Sequence, residues 1–101
     1  MSLAEDLARD RRRLILEHLA AAEGHGLGAG VLETVVAQAR HRAWRDVVQA
    51  DIALLAQHNL VRTEDLPSAI GLQTWVELTG LGLDVANGRE HPAVAPKLPS
   101  Y

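Results

Sequence analysis

Arg40, Arg42, Arg45 and Gln49 lie close together in the chain, and their types are those that touch nucleic acid. Arginine reaches phosphate oxygens or the O6 and N7 edge of guanine, and glutamine pairs with adenine. Residues for bond-making chemistry are scarce by comparison. Cysteine is absent, which removes disulfides, thiolate metal ligands and cysteine nucleophiles together. Ser2, Ser68 and Ser100 stand near the ends or in an expected turn, and no carboxylate pair falls in an inferable apolar cleft. The histidines His18, His25, His41, His58 and His91 include no pair at i, i+3 or i, i+4 and no HExxH. His41 and His58 suit helix C-termini, His25 and His91 fall in segments expected to be flexible, and His18 borders the core. The chain therefore reads as a non-enzyme with no metal site and no cofactor.

The 101 residues make one domain, and 48% hydrophobic residues suffice to close a small core. No run approaches a membrane span, and the N-terminus lacks the basic-then-apolar order of a signal peptide. With the missing cysteines, this reads as a protein of a reducing cytoplasm. A formal net charge of -3 gives no global attraction for nucleic acid, so any DNA contact must be local.

These residues need a scaffold, and its centre is the stretch from Ala43 to Val61. Val48, Ile52 and Leu55 recur at i, i+4 and i+7, with Val47 and Leu54 widening the arc, so one side of a helix over 43–58 faces the core. Arg45, Gln49 and Ala53 occupy the other side. Asn59 suits the left-handed stop, and Leu60 and Val61 begin an extended run. Asp51 falls inside the apolar arc, where an unpaired carboxylate is costly. Its expected partner is an arginine of the first helix, a backbone group or the Trp75 indole. Trp44 stands where a Ser, Thr or Asp cap is usual, and either closes the turn against the preceding helix or lies exposed to a partner.

A first helix is expected over Leu3–Ala22, with Leu3, Leu7, Leu14, Ile15, Leu19 and Ala22 inward and Asp6, Asp10, Arg13 and Glu17 outward. Ser2 and Glu5 have capping-box spacing. Arg11, Arg12 and Arg13 interleave with acidic residues and read as a solvated face. Arg11 alone intrudes on the apolar arc. It either snorkels past the core edge, or marks two projecting turns that, with Leu3 and Leu7, pair with a second copy. Glu23–Gly30 reads as a flexible glycine-rich connector without phosphate-loop spacing. A second helix follows from about Ala29 to Arg40, with Leu32, Val35, Val36 and Ala39 inward. Arg40, His41 and Arg42 suit either the negative end of that helix or a phosphate contact.

From Leu60 to Leu78 the pattern alternates as in a two-stranded hairpin, joined by a loop over Leu66–Leu72 that holds Pro67, Ser68 and Gly71. That loop offers no Lys or Arg. Leu66, Ile70 and Leu72 give it an apolar surface beside Glu64 and Asp65, which suits a protein partner or a tip folded back on its own domain. Thr79 caps a last helix with Leu81, Val85 and Ala86 inward, closed by Asn87 and Gly88. Residues 89–101 then form a Pro-rich extended tail after a domain over 1–88.

The order helix, helix, helix, strand, strand, helix makes a mainly α fold with a small β-hairpin (α+β). It resembles the winged helix-turn-helix class that includes ArsR-like and MarR-like repressors. More narrowly, RRLILEHLAAAEG, RDVVQADIALLAQHNLV and VELTGLGLDVANG resemble a small ArsR-like winged-helix family of Mu-like prophages. The most specific pieces are Asp51 to Leu55 with Leu60 and Val61, and the pattern from Leu78 to Gly88. Family members tend to have a Ser cap where this chain has Trp44, and Pro-Gly-Val where it has Pro92, Ala93 and Val94. The resemblance implies a phage origin in a bacterial host and a regulator-like DNA-binding role, although fold alone does not fix function.

Two functional expectations follow. In one, a homodimer sets the helix over 43–58 in the major groove of double-stranded DNA, with Arg45 and Gln49 on base edges and Arg40 and Arg42 on phosphates. In the other, the scaffold has lost its DNA chemistry and binds another phage protein in assembly or packaging.

Overall fold

A computed structural model of the chain describes residues 2–39, 41 and 43–98. Arg40 and Arg42 lie outside the described residues. The elements run α1 (Leu3–Ala21), a 3-10 turn (Glu23–His25), β1 (Gly26–Gly28), α2 (Ala29–Gln38), α3 (Arg45–Gln57), β2 (Val61–Ser68), β3 (Gly71–Leu78) and α4 (Gly80–Ala86). Among the described residues the fold is α+β: four α-helices and a three-stranded antiparallel sheet ordered β1-β3-β2.

The helices start and stop where side-chain chemistry dictates. Ser2 Oγ accepts the Glu5 N–H at 3.1 Å, and Thr79 Oγ1 accepts the Gly82 N–H at 3.0 Å, each satisfying a donor that the helix leaves unpaired. At the end of α3, Asn59 adopts φ 59°, a left-handed turn that an Asx side chain tolerates and that swings Leu60 into the core. Trp44 precedes α3 without a side-chain cap and is 81% exposed. It does not close the turn against α2.

Ile15, Leu16 and Leu19 of α1, Leu32 and Val36 of α2, and Val48, Ile52 and Leu55 of α3 meet Val61, Val76 and Leu78 of the sheet in one core. Val85 and Ala86 of α4 and Val94 beyond it complete that core. Gly82 brings α4 onto the turn after α3, and a Cβ there would stand 1.9 Å from the Leu60 carbonyl oxygen.

Three expectations are corrected. The glycine-rich connector holds a strand: Gly26, Leu27 and Gly28 pair with Glu77, Val76 and Trp75. The Trp75 indole covers Gly26 so closely that a Cβ would meet it at 2.7 Å. The hairpin has no long loop, because pairing continues through Leu66↔Gln73 and Pro67↔Leu72 to Ser68↔Gly71, leaving a tight turn at Ala69 and Ile70. Ser68 Oγ donates to the Gly71 carbonyl at 2.7 Å and accepts the Ile70 N–H at 3.3 Å, which fixes that turn.

The third correction concerns α1. Its buried stripe is Ala8, Arg12, Arg13, Ile15, Leu16 and Leu19, whereas Leu3 and Leu7 are exposed. Arg12 and Arg13 are thus interior and not solvated, because residues 93–95 lie along α1 and give them acceptors. The Ala95 N–H donates to the Arg9 carbonyl at 3.2 Å. Arg9 Nη2 donates to the Val94 carbonyl at 3.2 Å, Arg12 Nη1 to Ala93 at 3.0 Å and Arg13 Nε to Ala95 at 2.8 Å. Ala93, Val94 and Ala95 are buried in turn, so this part of the tail is a strap across its own domain.

Candidate functional site

Arg45 and Gln49 lie one turn apart on the exposed side of α3, opposite the core stripe of Val48, Ile52 and Leu55. Strand alternation aims Thr63, Asp65, Leu72 and Thr74 at that side of the helix, since registered partners share a sheet face. Between them opens a cleft of about 700 Å³ whose walls include Arg45, Gln49, Leu72 and Thr74, with Glu33 of α2 at its edge. A smaller hollow of about 330 Å³ joins Gln49 and Ala53 to Thr63 and Asp65. Helix and hairpin therefore frame one concave face.

The charges on this face are mixed. Arg45 Nε lies 3.4 Å from Glu33 Oε1, near enough for charge pairing, yet that buried oxygen accepts no hydrogen bond. Asp65 Oδ1 accepts the Thr74 hydroxyl at 2.8 Å, which holds the carboxylate on the hairpin's inner side. On the same hairpin, Arg62 pairs with Glu77 at 3.9 Å. Arg45 of α3 and Arg62 of the hairpin thus each have a carboxylate within 4.0 Å.

The structure distributes the expected contact residues unevenly. Arg45 and Gln49 meet in the cleft, while Arg40 and Arg42 fall outside the described residues. Ile70 and Leu72 are 87% and 74% exposed at the tip and share the cleft, but Leu66 lies on the opposite sheet face, in register with Gln73. Leu3 and Leu7 are exposed on the first two turns of α1. Arg11 is not with them, because its guanidinium forks onto Asp51: Nε donates to Oδ2, and Nη2 to Oδ1 at 3.1 Å.

Asp51 is 3% exposed and also accepts from Arg12 Nε at 3.2 Å. The expected partner in the first helix is present, and it is two arginines. Neighbouring Arg13 donates Nη1 to the Val85 carbonyl at 2.7 Å and to Ala86 at 3.3 Å, which satisfies the end of α4. Burial lowers its pKa, opposed by nearby Glu17.

One pairing escaped sequence reasoning altogether. His58 and His91, far apart in sequence, bring their rings to 5.0 Å at 81°. No local spacing signals this contact. Among the described residues, no group of three or more His, Cys, Asp or Glu is placed to hold a metal ion. No described helix is long and apolar enough to cross a membrane.

No protein-family model matches the chain, and no curated protein matches it significantly.

Proposed function

We propose that the chain is a winged helix-turn-helix domain of a phage or prophage that binds double-stranded DNA as a homodimer in the cytoplasm of a bacterial host. The element order α1-β1-α2-α3-β2-β3, with a hairpin flanking the third helix, supports the winged-helix reading. The observation that carries the function is the exposed side of α3, where Arg45 and Gln49 look into a cleft framed by the hairpin. In this reading Arg45 leaves Glu33 for a guanine edge, Gln49 reads adenine, and Arg40 and Arg42 take phosphates. Two copies supply two helices about one DNA turn apart, which the modest charge of a single copy requires. The domain performs no catalysis and needs no cofactor.

The test is binding to labelled DNA fragments across a salt series with unrelated competitor. Arg45→Ala and Arg42→Ala each lose about 1–3 kcal/mol, and the phosphate contact flattens the salt slope by about one unit. Undiminished binding by both variants sinks the assignment of these residues.

A specific observation favours a second reading, a protein-interaction module of phage assembly or packaging. Arg45 and Arg62 already face carboxylates, and the hairpin tip presents Ile70 and Leu72 instead of cations. If this holds, no DNA binds even at low salt, and Ile70→Ser weakens capture of a phage protein.

A further inference from the structure

His91 stands at the root of the strap. Its Nδ1 accepts the Ala93 N–H at 3.1 Å, and its carbonyl accepts the Val94 N–H at 3.2 Å. An imidazole nitrogen accepts a hydrogen bond only when it carries no proton, so the Ala93 contact belongs to the neutral ring alone. Across from it lies the ring of His58, the residue that ends α3, at 5.0 Å.

We propose that the His58–His91 contact is an acid-sensitive latch: neutral, it seats the strap on α1, and protonation of His91 releases residues 93–95. Two local effects make protonation incompatible with the seated strap. The Ala93 N–H loses its acceptor, and the new charge on His91 is opposed by His58 across the ring contact. The other charged groups around the ring do not offset this. Arg89 precedes it on the chain and Arg9 of α1 lines the same cleft, both cationic. Glu90, exposed in that cleft, is the neighbouring carboxylate, since Asp84 of α4 pairs with Arg89 at 3.9 Å.

The direction of the pH effect follows. With the strap seated, His91 is less basic than a free imidazole, through burial first and then the charges of His58 and Arg89. The released strap therefore binds more protons, and seating grows stronger as pH rises. Seating is at full strength above the ordinary imidazole value of about 6.5 and weakens as pH falls through it. Release strips Arg9, Arg12 and Arg13 of their carbonyl acceptors at Val94, Ala93 and Ala95 and uncovers that side of α1.

Amide hydrogen exchange on the full chain tests the latch. Between about pH 7.5 and 5.5, after correction for intrinsic exchange, the Ala95 amide should lose protection relative to Leu16 and Leu55, by several-fold and at most about tenfold for one proton. His91→Gln, which takes no proton, should abolish that loss, and His58→Gln should reduce it. Ala95 tracking the core amides at both pH values, or an equal loss in His91→Gln, overturns the latch. A His91 ring that titrates at or above the ordinary value in the unsubstituted chain also overturns it.

Discussion

Asp51 shows what one carboxylate can organise when it is taken out of water. Arg11 and Arg12 reach it from α1, and Arg12 also reaches the strap, so one buried anion ties three segments together. Removing one partner from such a cluster strands the others, and breaking a buried pair costs about 3–5 kcal/mol. Asp51→Ala should destabilise the domain by that amount in urea unfolding. A loss under about 1 kcal/mol would mean that water reaches the guanidiniums and replaces the carboxylate. This pairing was half legible in the sequence. A carboxylate between Val48 and Leu55 demands a cationic partner, but Arg12 and Arg13 were hard to place inward, because arginine is rarely interior without acceptors. Ala8, Arg12, Ile15, Leu16 and Leu19 do follow the i, i+4, i+7, i+8, i+11 stripe of a buried face. Read without regard to charge, the period alone finds it.

Among the elements, the helices were the most legible because period and caps agree. Ser2, Asn59 and Thr79 act at the ends where their chemistry predicts. β1 was not legible, since two of its three residues are glycines and nothing local marks them as strand. Its pairing comes from β3, and the bare Gly26 leaves room for the Trp75 indole. Gly82 has a similar role in α4, where the absence of a side chain lets the helix rest on the Leu60 carbonyl. Gly82→Ala should raise helix propensity and still destabilise, by about 1–3 kcal/mol or more from overpacking against backbone. A stabilised variant would show that α4 shifts at little cost. In the candidate site, the exposed side of α3 was legible from the same 3.6-residue period that fixes its core side. The Glu33 contact to Arg45 was not, because it depends on how α2 crosses α3.

At the scale of the whole molecule, the strap makes the first and last described elements interdependent. A chain truncated before Pro92 loses the burial of Ala93, Val94 and Ala95 and leaves guanidiniums without acceptors. It should lose more than about 3 kcal/mol. Equal stability of truncated and full chains would reduce the strap to a surface ornament. The proposed homodimer is a separate matter and draws on the exposed Leu3 and Leu7. Leu3→Lys with Leu7→Lys should shift sedimentation from dimer to monomer while leaving thermal stability nearly unchanged. A monomer before substitution removes the dimer from the proposal.

The arginine contacts to the strap also set a schedule for synthesis. Arg12 and Arg13 leave the ribosome before the strap does, since the carbonyls they donate to lie 81 and 82 residues downstream. At translation rates of about 5–20 residues per second, α1 waits roughly 4–16 s for those acceptors. During that interval its inward guanidiniums and the apolar residues beside them stay open to whatever the nascent chain meets.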